Sequence, residues 1–250
     1  MQKRILFSHG DKGGTGKSML SAILVDSLLS NSSLNDIAIL EGDASQPDVI
    51  ERFVETGIQI GAVNLNRAGD AESSIMKFGD WVERSGADQI VVNLPAGAGD
   101  TLDELAPVLG EVLSGLKYRS IGLYSLGPTN SSTDSLKRSL ESGLMSAVDI
   151  KVAVYPEFLG EPVRFDAKKH EQSLLLDEAI SIPALRPDLL RDRVLSLRGP
   201  FSDMRDSPDL TLVERAMLGR WLDRVHENLV DLFRLEDSPA ENIEAETANE

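Results

Sequence analysis

Short apolar runs alternate with longer stretches in which apolar residues recur every three or four positions, from residue 4 to about residue 233. Ile5-Leu6-Phe7 lies in a predicted strand over 4–10, and a helix follows over 17–30 with Leu20, Ile23, Leu24, Ser27 and Leu28 on one stripe. Further strands are predicted at 37–40, 89–94, 120–126, 150–155 and 179–185, with a short apolar run at 58–65. Helices are predicted near 71–84, 101–116, 132–147 and 187–197. The run at 89–94 is continuously apolar, as in a strand covered on both faces. From 210 to 233, Val213, Met217, Trp221, Val225, Leu229 and Phe233 recur every four residues, which predicts a closing helix packed on the sheet. Strands alternating with helices call for an α/β fold: a mostly parallel, doubly wound sheet with helices on both faces and ligands at the carboxyl ends of the strands.

Composition narrows the picture. A chain of 250 residues with 41% hydrophobic content can bury one full core, which predicts a single domain over 1–235. Residues 236–250 hold six acidic side chains and no basic one, the composition of a disordered tail. Cysteine is absent, which excludes disulfides, thiolate zinc sites and cysteine-ligated iron–sulfur clusters. The net charge of −16 opposes non-specific adhesion to DNA or to an anionic bilayer. The first apolar run is too short for a secretory signal, and no stretch approaches the roughly 18 apolar residues of a membrane span, which predicts a cytoplasmic protein.

The chemistry concentrates in Asp11 to Leu20, DKGGTGKSML, between the end of the first strand and the start of the first helix. Gly13, Gly14 and Gly16 permit backbone angles that turn successive N–H groups onto an anion, and the helix dipole adds partial positive charge there. Lys17 is then placed for the β- and γ-phosphates of a nucleotide and the Ser18 hydroxyl for Mg²⁺. The general phosphate-loop pattern wants glycine where this chain has Asp11. No pair of the three histidines, His9, His170 and His226, stands at metal-ligand spacing, so all three read as structural or surface residues.

KGGTGKS resembles the deviant Walker A motif of the ParA/MinD family, in which an additional lysine precedes the glycines. The resemblance implies a SIMIBI-like P-loop NTPase that binds ATP and Mg²⁺ through Gly13, Gly14, Thr15, Gly16, Lys17, Ser18 and Met19. It implies an ATP-dependent homodimer, with Lys12 reaching the nucleotide of the other subunit. Leu40-Glu41-Gly42-Asp43 is similar to the family segment whose aspartate faces the γ-phosphate, which would give Asp43 a catalytic and metal-shell role. Asp43 is also an ordinary turn residue after a strand. Ile90 to Asp100 resembles the Walker B strand and switch loop, except that Asn93 stands where the family has aspartate; a lost charge there is expected to weaken the metal shell. Ser181 to Asp188 resembles the segment surrounding the base, with Pro183 packed on it, but 152–156 lacks the asparagine that usually reads adenine.

The implied function is a slowly hydrolysing ATPase switch that positions or loads a cargo such as a plasmid, a chromosome, or conjugation or division machinery, with a protein activator or cargo adaptor as partner. A hydrolysis-poor, nucleotide-locked scaffold is the alternative that Asn93 keeps open, and a P-loop biosynthetic enzyme is a weaker one. An iron–sulfur carrier has no ligands here. Direct membrane anchoring conflicts with the acidic tail. Arg186, Arg191, Arg193, Arg198, Arg205, Arg215, Arg220 and Arg224 could form a DNA-binding surface or a solvated face balanced by neighbouring acids.

Overall fold

Among the described residues seven strands form one sheet in the order β3-β2-β4-β1-β5-β6-β7, and each of their pairings is parallel. They are β1 (Arg4–His9), β2 (Ile37–Glu41), β3 (Gln59–Ala62), β4 (Gln89–Asn93), β5 (Arg119–Ser125), β6 (Ile150–Pro156) and β7 (Glu178–Ile182). The helices are α1 (Lys17–Leu29), α2 (Asp48–Phe53), α3 (Ala71–Ser85), α4 (Ala106–Gly115), α5 (Asn130–Ser142), α6 (Leu144–Ala147), α7 (Asp188–Ser196) and α8 (Leu212–Arg234). This computed structural model describes residues 2–10, 13–30, 36–42, 47–65, 70–96, 102–103, 105–160 and 176–234.

The two-residue period of the strands sorts side chains between two cores. Leu6, Ile39 and Val91 point to one face and pack with α1, α7 and α8. Ile5, Phe7, Ala38, Leu40, Ile90 and Val92 point to the other and meet Ile75, Phe78 and Val82 of α3 and Leu109 and Leu113 of α4. The predicted doubly wound architecture is therefore present. None of the described helices is long and apolar enough to cross a membrane.

Several boundaries differ from the sequence expectation. Helix α1 is not a one-sided stripe, because nearly every residue from Leu20 to Leu28 is buried, Asp26 included. The helix expected at 132–147 breaks into α5 and α6 at Gly143, where the Asp103 carboxylate accepts the Leu144 N–H at 2.7 Å and the Ser139 hydroxyl at 3.3 Å. Residues 102–103 are helical, and α4 runs from Ala106 with Pro107 in its first turn, a position where proline's missing N–H costs nothing. Helix α2 was not expected. On α8 the four-residue stripe only half holds: Trp221, Val225 and Leu229 are buried, but Val213 and Met217 are exposed. A period of four overshoots the helical repeat by about 40° per step, so the early members rotate into solvent and Leu218, Leu222 and Leu232 take their place.

Candidate functional site

At the carboxyl edge of the sheet the neighbouring strands β1 and β4 send the chain to opposite faces. After β1 the chain enters α1 on one face; after β4, its neighbour, it reaches α4 on the other. A crevice at such a switch point is where open α/β sheets hold ligands. The glycine loop fills it. Gly14 and Gly16 have φ of 77° and 87°, left-handed values that a side chain resists. Gly16 occupies the N-cap of α1 and has no side chain to cap it, so first-turn N–H groups are left for an anion. Gly13 and Gly14 are exposed, while Thr15 and Lys17 are buried. The Ser8 hydroxyl donates to the Lys17 carbonyl at 2.9 Å and ties the strand end to the first turn of α1.

His9 lies beneath this loop, edge-on to Tyr124 with centroids 4.8 Å apart. Burial, reinforced by the Lys17 charge, pushes its pKa down to about 3. The imidazole is thus neutral at physiological pH, and the expectation of a structural histidine holds.

Strand register aligns Ser8, Asn93 and Glu41 on three adjacent strands, β1, β4 and β2. The Asn93 amide donates to Glu41 Oε1 at 2.9 Å, and its oxygen accepts the Ser21 hydroxyl of α1 at 3.0 Å; all three side chains are fully buried. A carboxylate is present one strand over, and the asparagine is the donor it needs. Gly42 follows Glu41, and its N–H donates to the Asn93 carbonyl at 2.8 Å. A Cβ there would lie 2.8 Å from both that carbonyl and Pro95, so only glycine lets β2 end this close to β4. Asp43, the next residue, lies outside the described residues, as do Lys12, Gly97 to Asp100 and His170.

Beside the loop opens a cleft of about 580 Å³ in which Gly16, Ser18, Met19 and Pro183 share one wall system with Phe158 and Trp221. The structure thus brings the end of the glycine loop and Pro183 together. Trp221 Nε1–H donates to the Pro183 carbonyl at 2.8 Å, and its ring stands edge-on to Phe201 at 5.4 Å. The Arg52 guanidinium of α2 lies 3.9 Å from the Phe201 centroid. Burial lowers the Arg52 pKa to about 10, opposed by Asp26, so it remains charged at neutral pH.

No family model matches the sequence. Protein MobD of Acidithiobacillus ferrooxidans is 26% identical over 226 residues, which span 88% of this chain and 94% of that protein. The septum site-determining protein MinD of Pyrococcus horikoshii, solved in complex with Mg-ADP, superposes with a TM-score of 0.53 at 12% identity, covering 95% of this chain and all of that one. Its fold is the one built here around the glycine loop. The chain shares the fold of that MinD structure, and its glycine loop resembles the deviant Walker A motif of the ParA/MinD family.

In the arginine-rich C-terminal third most of the positive charge is paired with acids. Of the eight arginines from Arg186 to Arg224, six form ion pairs: Arg186 and Arg191 with Asp188, Arg193 with Glu214, Arg198 with Glu55, Arg205 with Asp223, and Arg224 with Glu157. Sequence reasoning missed Glu41, Ser21, Phe158 and Trp221 as site residues. Glu41 stood in a quoted motif, but its partnership with Asn93 depends on strand register. Phe158 lies only two residues past the segment searched for a base reader.

Proposed function

We propose that this chain is a slowly hydrolysing ATP switch that dimerises around its nucleotide and positions or loads a cargo such as a plasmid, a chromosome, or conjugation or division machinery, prompted by a protein activator or cargo adaptor. The observation that carries the reading is the uncapped α1 N-terminus behind left-handed glycines at the switch point, with a buried Lys17 beside it and a cleft at its end. Backbone N–H groups of the loop take the phosphates, and Lys17 supplies the charge. Lys12 serves the nucleotide of a second copy, and Asp43 orients the attacking water, both by resemblance.

The donor set suits magnesium, which needs one protein hydroxyl and otherwise keeps phosphate oxygens and water. Ser18, in the first turn of α1, would hold it with Asp43, and the ion would neutralise phosphate charge. The aspartate missing at position 93 also supports a second reading, a nucleotide-locked scaffold with little turnover, because Asn93 is committed to Glu41 and Ser21. Light scattering with a non-hydrolysable ATP analogue tests the dimer: the mass doubles in the wild type and stays monomeric in Lys12→Ala. A wild type that remains monomeric overturns the switch. Measured turnover below about one per second fits the slow end of enzyme rates; no turnover even with partners leaves the scaffold.

A further inference from the structure

Among the described residues, Phe158 sets its ring directly on Gly16 of the phosphate loop. It sits in the 3-10 turn Glu157–Leu159 that follows β6, half-buried. The turn is closed by the Gly160 N–H donating to the Glu157 carbonyl at 3.2 Å, and Glu157 pairs with Arg224 of α8 at 3.8 Å. The atoms nearest to a Cβ built on Gly16 all belong to the Phe158 ring, and a methyl there would collide with it. Gly16 is therefore constrained twice, by its left-handed φ and by this ring.

A nucleotide whose phosphates lie in the loop must send its base into the adjoining cleft, because Gly16, Ser18 and Met19 are both the end of the loop and a wall of the cleft. Among the described residues the cleft lining includes no asparagine or glutamine, the amides that offer a donor and an acceptor together to a base edge. It does offer flat apolar surface: Phe158 near the phosphate end and Pro183, whose carbonyl Trp221 holds in place. We infer that Phe158 stacks on the base and holds it by its face. This rests on the nucleotide site proposed above and assigns the residue that receives the base.

The test is calorimetric titration of the full chain with ATP and with inorganic tripolyphosphate, which lacks a base. Phe158→Ala is expected to weaken ATP binding about tenfold, within the range seen when a stacking aromatic is removed, and to leave tripolyphosphate binding unchanged. Phe158→Tyr keeps the ring and should retain ATP affinity. Unchanged or tighter ATP binding by Phe158→Ala overturns the assignment; tighter binding would make the ring a plug on the loop. Equal losses for ATP and tripolyphosphate would also overturn it, since the ring would then act only by shaping the loop. If the wild type binds neither ATP nor tripolyphosphate, the phosphate site itself fails, an outcome distinct from intact ATP binding in Phe158→Ala.

Discussion

The two sides of the crevice are built differently. Around the ends of β1, β4 and β2, short polar side chains are buried and held in register: Ser8 to the α1 backbone, Asn93 between Glu41 and Ser21. Around the cleft stand large rings from remote stretches of chain: Phe158 against Gly16, and Phe201 edge-on to Trp221, with Arg52 over Phe201. The first side is costly to disturb, because a buried polar group that loses its partner keeps its full desolvation penalty. The second is tolerant, since ring contacts are non-directional and each is worth little beyond its buried area. A site with a stringent phosphate end and a permissive far wall follows.

Substitution on the stringent side should produce the largest change in stability. Asn93→Asp introduces the aspartate of the Walker B pattern that this strand resembles, yet it brings a second carboxylate against Glu41 and removes the N–H that Glu41 accepts. The expected loss is about 2–4 kcal/mol at neutral pH by denaturant unfolding. The double variant Glu41→Gln/Asn93→Asp returns a donor to the pair and should recover most of it. If Asn93→Asp is as stable as the wild type, the buried amide–carboxylate pair does not matter to the fold.

His9 gives the next effect, visible as a pH slope. Its folded pKa of about 3 lies below the ordinary 6.5, so between these values the unfolded chain takes up a proton that the folded chain refuses. Stability contributed by the neutral imidazole is complete above 6.5 and declines as pH falls through that window, by up to about 1.4 kcal/mol per pH unit. In His9→Gln the slope between pH 6.5 and 5 should be shallower. Equal slopes would contradict the burial argument.

On the tolerant side the effects shrink. Trp221→Phe keeps the edge-on contact with Phe201 but deletes the hydrogen bond to the Pro183 carbonyl, with an expected cost of about 1 kcal/mol in stability. ATP binding should weaken by a few-fold, with tripolyphosphate binding unaffected. A loss shared by both ligands would mean that Trp221 supports the whole fold rather than the cleft wall.

The same contrast explains what the sequence revealed. The phosphate loop is contiguous, and its glycines carry their reason with them, so DKGGTGKSML was legible without coordinates. The central strands β2 and β4, buried on both faces, announced themselves as unbroken apolar runs. The Asn93–Glu41 pair was not legible, because 52 residues separate the two and only the β2–β4 register makes them neighbours. The cleft wall was harder still: Phe158, Pro183, Phe201 and Trp221 come from four separate segments. Helix α2 is six residues long, too short for a periodic signal. Helix α8 showed a pattern whose four-residue spacing misassigned its first two turns.

The central claim is that the glycine loop is a triphosphate site in which Lys17 supplies the main side-chain charge. Its most direct test is isothermal titration of wild type and Lys17→Ala with ATP in the presence of Mg²⁺. The wild type should bind one ATP per chain, and Lys17→Ala should lose about a hundredfold in affinity, the upper range for a hydrogen bond to a charged group, with its melting temperature in the absence of nucleotide essentially retained. Equal ATP affinity in the two proteins would contradict the account.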